Sequence, residues 1–148
     1  VKYDDLLISS TLIRGYLGEG KVSFANKLLR KPFSFEGEVI KGDARGRTIS
    51  FPTVNLKYPE ELVKIRFGVY KTMVTVDSKE YRGITNIGLR PTFKSDYIIS
   101  ETYIKDFSGD LYGKNIRITL LEFLRDEIKF DSLLELKKQI SKDLMTID

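Results

Sequence analysis

Between residues 115 and 124 apolar and polar side chains alternate, with Ile116, Ile118 and Leu120 on one face. A period of two marks a half-buried strand. The pattern predicts further strands over residues 35–41, 68–76, 80–87 and 97–107. Residues 68–76 are rich in Val, Thr and Tyr, and Asp77, Ser78 and Lys79 read as a tight turn, so 68–87 forms a hairpin. Ser108, Gly109 and Asp110 turn the chain, and Gly113 marks a second bend. Short strands broken by glycine turns argue for an antiparallel barrel or sandwich. Both ends switch to helical spacing. Ser9, Ser10 and Thr11 offer N-caps for a short helix through Leu17, stopped by Gly18 and Gly20. A second helix is predicted over 22–29, with Val22, Ala25, Leu28 and Leu29 on one side, and Pro32 ends it. Near the C-terminus Ser132 and Glu135 have the spacing of a capping box. Leu133, Leu136, Ile140 and Leu144 then recur at helical intervals, fit to lie against a barrel.

Composition removes several kinds of chemistry. The 148 residues contain no cysteine and no histidine. Thiolate nucleophiles, disulfides, histidine bases and the usual zinc sites are thereby excluded. Any acid–base step falls to Asp, Glu, Lys or Tyr. The net charge of +4 suits an anionic ligand but is too small to imply nucleic acid. No apolar run approaches the roughly 20 residues of a membrane helix.

The richest stretch is 42–55, GDARGRTISFPTVN. Gly42 and Gly46 free backbone amides to turn toward an anion. Arg45 and Arg47 add forked, charged donors for phosphate. Thr53 and Asn55 are neutral oxygen donors of the kind a hard cation accepts. A loop for a metal-bound nucleotide phosphate fits these residues, although a solvated turn would also explain the glycines. Residues 15–22, GYLGEGKV, nearly match a P-loop, but Val22 lacks the required hydroxyl and a helix, not a strand, precedes it.

Glu101 sits mid-strand on the face shared by Ile99 and Tyr103. It is either a solvated strand acid or a half-buried base. In residues 86–93, NIGLRPTF, Arg90 and Thr92 could shape a pocket mouth or merely end a strand. In residues 124–132, LRDEIKFDS, Arg125 and Glu127 are polar contacts of a ligand-closing segment or parts of a charged connector.

Taken in order, these motifs resemble the riboflavin kinase module of bacterial bifunctional riboflavin kinase/FMN adenylyltransferases, often called FAD synthetases. GVY at Gly68 and GDLYGK at Gly109 extend the match, which covers roughly residues 32–140. The resemblance implies a mainly β fold, a six-stranded antiparallel Greek-key barrel with short N-terminal helices and a C-terminal helix. It divides the chain into 1–31, the tail of an adenylyltransferase domain with its helical linker, and 32–148, the kinase domain. ISSTLIR at Ile8 looks like that tail. Val1 in place of methionine fits a piece of a longer protein.

The implied reaction is phosphorylation of riboflavin by ATP with Mg2+, giving FMN and ADP. Glu101 matches the catalytic base position. Gly42, Asp43, Arg45, Gly46 and Arg47 match the nucleotide loop. Thr53 and Asn55 match the element that holds magnesium and phosphates. Arg90, Arg125, Asp126 and Glu127 fall in segments that border the flavin, whose ring needs an apolar slot between the barrel and the C-terminal segment. Ser50 and Val54 depart from the glycine and alanine common in the family. The resemblance also implies a cytoplasmic, monomeric domain joined covalently to an adenylyltransferase, with no nucleic-acid or membrane partner. The rival reading is a non-catalytic barrel that binds single-stranded nucleic acid.

Overall fold

The computed structural model describes residues 3–29, 31–40, 53–90, 96–107, 109–128 and 132–145. Two helices lead, α1 (Tyr3–Gly18) and α2 (Val22–Leu28). Six strands follow: β1 (Ser34–Glu38), β2 (Thr53–Lys57), β3 (Gly68–Val76), β4 (Lys79–Arg90), β5 (Tyr97–Ile104) and β6 (Asn115–Arg125). The helix α3 (Leu133–Met145) ends the described chain.

The strands form one antiparallel sheet in the order β1-β6-β3-β4-β5-β2. Strands β3, β4 and β5 meander, and β6 returns beside β3, which is the Greek-key arrangement. Ile40 bridges to Asn55, with the Ile40 amide donating to the Asn55 carbonyl at 2.8 Å. That bridge draws the β1 and β2 edges together, so the barrel is nearly closed.

The hairpin between β3 and β4 is tighter than the three-residue turn the sequence suggests. Val76 pairs with Lys79, and Asp77 and Ser78 have φ of 49° and 70°. Positive φ at both loop residues defines the turn whose twist matches that of the strands. Strand β5 stops at Ile104, short of Phe107, where Asp106 turns with φ 56°. The largest difference lies at β2. The sequence reads as loop through Asn55, yet Thr53–Lys57 pairs fully with β5. Val54, Asn55 and Leu56 are all buried, so β2 shows no alternation to read.

Helix α1 begins at Tyr3, so Ser9, Ser10 and Thr11 lie inside it rather than capping it. Its end follows a glycine rule. Gly20 has φ 82°, its amide donates to the Leu17 carbonyl at 3.1 Å, and the Lys21 amide reaches the Tyr16 carbonyl at 2.8 Å. Leu17, Val22 and Ala25 then join the barrel core. Asn26 fastens α2 in place: its amide donates to the Leu120 carbonyl at 2.9 Å, and its oxygen accepts from the Phe33 amide at 2.8 Å. The N-terminal helices therefore share one core with the barrel.

Inside the barrel a polar ladder crosses three strands. Thr72, Thr85 and Thr102 are fully buried, with hydroxyl separations of 3.0 Å and 2.7 Å. Gly83 makes room beside them; a Cβ there would lie 3.0 Å from Thr102 and 3.1 Å from Thr72. Thr85→Val strands two buried hydroxyls and is expected to cost about 2 kcal/mol in chemical denaturation. The triple valine variant removes both partners of each bond and should lie closer to the parent. A triple variant that loses more than the single one would contradict this reading of the ladder.

Candidate functional site

The outer wall of the barrel carries a row of residues set by register alone. On β5, Glu101 stands opposite Asn55 of β2 and opposite Asn86 of β4. Asn86 in turn faces Val69 of β3, and Val69 faces Arg125 of β6. Directly paired residues share a sheet face, so the row runs Asn55, Glu101, Asn86, Val69, Arg125 across five strands. A register shift between Val69 and Tyr70 makes the last step possible. Phe123 stays with Tyr70, its ring 5.3 Å away, while the extra residue brings Arg125 onto the outer face.

Helix α3 covers part of this wall. Leu136 and Ile140 pack on Tyr103, and Leu144 packs near Val69 and Ile84. The Ser132 hydroxyl accepts the Glu135 amide at 3.2 Å, as one half of a capping box. A partly buried ion pair latches the helix to β6. The Arg125 guanidinium donates to both Asp143 carboxylate oxygens, at 2.8 Å and 3.4 Å, and Gln139 donates to the same carboxylate at 2.9 Å. Between helix and wall lies a cavity of about 80 Å³ lined in part by Asn86, Glu101, Tyr103 and Arg125. That volume is too small for a tricyclic ring. A larger cavity of about 350 Å³, at the barrel end among Tyr58, Phe67, Leu89 and Tyr97, holds none of the predicted site residues.

Glu101 is half-buried, and the Tyr103 hydroxyl donates to its carboxylate at 3.2 Å. On one side of it Asn55 is only 4% exposed, and its amide oxygen has no partner among the described residues. Thr53, two residues earlier, shares the Asn55 face. A buried neutral oxygen left without a donor fits a hard cation, so these two residues fit magnesium on chemical grounds.

On the other side of Glu101, the Asn86 side chain hydrogen-bonds the Glu127 carboxylate, which lies directly over Gly88. A Cβ at Gly88 would sit 2.6 Å from both Glu127 oxygens and would push that carboxylate aside. Burial pushes the Glu127 carboxyl above its ordinary 4.5, and the Asn86 bond partly offsets this.

The predicted residues thus divide. Thr53, Asn55 and Glu101 adjoin one another, and Glu127 joins them through Asn86. Arg125 lines the cavity but is held by Asp143. Asp126 faces away, paired with Arg66 at 2.8 Å. Arg90 pairs with Tyr97 farther along β4. Gly42, Asp43, Arg45, Gly46 and Arg47 lie outside the described residues, as do Ser50 and Thr92. Sequence reasoning passed over Asn86, Tyr103 and Asp143. Asn86 carried a signal, since Asn is depleted in strand interiors.

A nearly closed Greek-key barrel with a carboxylate between two amide oxygens on its wall defines a ligand-binding barrel with an acidic centre. The chain belongs to the riboflavin kinase family, whose profile matches residues 29–148. It is 42% identical over 137 residues to the bifunctional riboflavin kinase/FMN adenylyltransferase of Listeria monocytogenes, covering 92% of this chain and 44% of that protein. The Mycoplasma pneumoniae enzyme of the same description is 38% identical, over 95% of this chain and 51% of its own length. The chain spans about half the length of these curated relatives, and it corresponds to their kinase part.

Among solved structures, Trypanosoma brucei riboflavin kinase matches with a TM-score of 0.52 at 25% identity, over 78% of this chain and 76% of that one. A Streptococcus pneumoniae chain described as a macrolide-efflux protein matches with a TM-score of 0.86 at 36% identity, over 93% of this chain and 45% of that one. The nucleic-acid reading is not favoured. No helix among the described residues is long and apolar enough to cross a membrane.

The Glu127 environment has a measurable sign. Its carboxyl is raised on folding, so the folded chain keeps a proton that the unfolded chain has released. Stability from this group therefore falls as pH climbs from the unfolded value through the raised one. Glu127→Gln abolishes the titration. The melting temperature of the variant should gain on that of the parent as pH rises above the ordinary carboxyl value of 4.5; a difference that does not vary with pH would contradict the assigned environment.

Proposed function

We propose that this domain transfers the γ-phosphoryl group of ATP to the 5′-hydroxyl of riboflavin, giving FMN and ADP. The observation that carries the proposal is the unbroken row of Asn55, Glu101 and Asn86 across three strands. Membership of the riboflavin kinase family supports this acceptor. Phosphoryl transfer needs alignment and charge neutralisation more than covalent help. Glu101, steered by Tyr103, orients the hydroxyl and takes its proton as the new O–P bond forms and the bond to ADP breaks. Thr53 and Asn55 would hold Mg2+, which when bound with ATP offsets charge on the phosphate oxygens. Amides and arginines from the stretch holding Gly42, Asp43, Arg45, Gly46 and Arg47 complete the phosphate side. Glu127 is the direct polar contact to the flavin, with Arg90 nearer the rim. Arg125 and Asp126 act at one remove, by holding α3 and the segment that carries Glu127. The ring rests at the cavity mouth, because the space beneath α3 admits only a chain.

A covalently attached adenylyltransferase in the parent protein accords with the half-length match to its relatives. The product of this domain's reaction is FMN. It works as a monomer in the cytoplasm, where ATP is supplied.

The direct test mixes the protein with riboflavin, ATP and Mg2+ and resolves the flavins by chromatography. FMN is expected, and its absence would overturn the proposal. Glu101→Gln should cut turnover by about 100- to 10,000-fold while ATP binding stays near normal. Unchanged turnover would remove Glu101 as the base. Thr53→Ala should weaken nucleotide binding only when Mg2+ is present, as read by calorimetric titration with and without the ion. Equal losses in both conditions would remove it as a ligand.

A further inference from the structure

We infer that Asn86 recognises a secondary hydroxyl on the side arm of the acceptor, on the side of Glu101 away from the phosphate. The inference rests on the phosphoryl-transfer reading above and adds a specificity residue to it. Four observations converge.

The first is orientation. The Glu127 carboxylate only accepts hydrogen bonds when ionised, so it selects the NH2 end of the Asn86 amide. The amide oxygen is thereby turned away from Glu127. It is buried, and no group among the described residues donates to it.

The second is the engagement of the donors beside it. The Tyr103 hydroxyl donates to Glu101. The Arg125 guanidinium is spread over Asp143 and the Asp126 carbonyl. Neither of these donors is turned to Asn86, so a ligand hydroxyl can supply one.

The third is position. Asn55 and Asn86 flank Glu101 on neighbouring strands, so their backbones stand about 10 Å apart. With the cation and phosphates at Asn55, the carbon chain that carries the reacting hydroxyl extends toward Asn86. Directly opposed side chains have Cβ atoms about 5 Å apart. Glu101 and Asn86 can therefore accept from two hydroxyls of one short chain.

The fourth is the cavity. Its volume of about 80 Å³ equals that of roughly two to three waters, enough for about two hydroxylated carbons of a chain whose remainder lies at the mouth. Val69, Ile84, Leu136 and Ile140 supply apolar wall for the carbons. Asn86 and Glu101 supply acceptors for hydroxyl protons. The site thus suits a linear polyol arm ending in a primary alcohol, and an alkyl alcohol of equal length satisfies it less well.

The test compares riboflavin with a flavin analogue whose arm is a hydroxypentyl chain, which keeps the ring and the terminal alcohol but lacks secondary hydroxyls. Initial rates with ATP and Mg2+ give kcat/KM for each. The parent should favour riboflavin by about tenfold or more, since a buried acceptor left unpaired penalises the plain chain. Asn86→Ala should lower kcat/KM for riboflavin by a similar factor and leave the analogue nearly unchanged, so that the preference collapses. Asn86→Leu, of similar volume, gives the same reading where the alanine variant folds poorly. Equal losses on both substrates would reduce Asn86 to a support for Glu127 and overturn the inference. A parent that turns over both substrates equally overturns it without any variant. A parent that phosphorylates neither overturns the phosphoryl-transfer reading itself, a distinct and separately visible outcome.

Discussion

The register of β5 between β2 and β4 is the constraint on which the rest depends. It sets Asn55, Glu101 and Asn86 shoulder to shoulder on the outer wall. Sliding β5 by one residue would turn Glu101 into the barrel and bring Ser100 or Thr102 out. The interior forbids this. Thr102 closes the ladder of buried hydroxyls, and Ser100 donates to the Leu56 carbonyl at 3.2 Å. A carboxylate in that space would lack both the room and the donors that its burial requires. The polar ladder within thus holds the acidic row without.

On that wall the two sides of Glu101 differ in chemistry. Toward β2 there are the neutral oxygens of Thr53 and Asn55. Toward β4 and β6 there are apolar walls, an amide and a second carboxylate, roofed by α3. A polar, cation-compatible end and a partly enclosed end with few acceptors suit two substrates that meet at one base. The Arg125–Asp143 pair keeps the roof in place. Removing either partner would leave a charge stranded with little water, and that cost makes such a pair a strong positional constraint.

Much of the barrel was legible because its strands either alternate or are rich in strand-forming residues. Residues 115–121 alternate, residues 68–76 carry Val, Thr and Tyr, and β3 and β6 match the predicted bounds almost residue for residue. Glu101 stood out as a carboxylate among apolar neighbours, but the choice between a solvated acid and a base was not legible. Strand β2 was not, because its central residues are buried on both faces and it follows a glycine-rich stretch that reads as loop. The start of α1 was missed because hydroxyl residues that favour caps sit in its middle, where the turns around them carry the helix through. The pairings Arg125–Asp143 and Asn86–Glu127 join residues distant in sequence, and no local pattern encodes them. The bulge that turns Arg125 outward has the same character. A run such as LLEFLR shows that a strand is present but not where it slips against its neighbour.

The central claim is that nucleotide and acceptor occupy opposite sides of Glu101 on the outer wall. Side-chain amide resonances of Asn55 and Asn86 report the two sides separately. Adding Mg2+–ADP, and then riboflavin, to the 15N-labelled protein tests the claim most directly. The account predicts that Mg2+–ADP shifts the Asn55 signal strongly and Asn86 much less, and that riboflavin then shifts Asn86. Equal shifts at both amides with Mg2+–ADP, or changes centred on Tyr58 and Tyr97 at the barrel end, would contradict it.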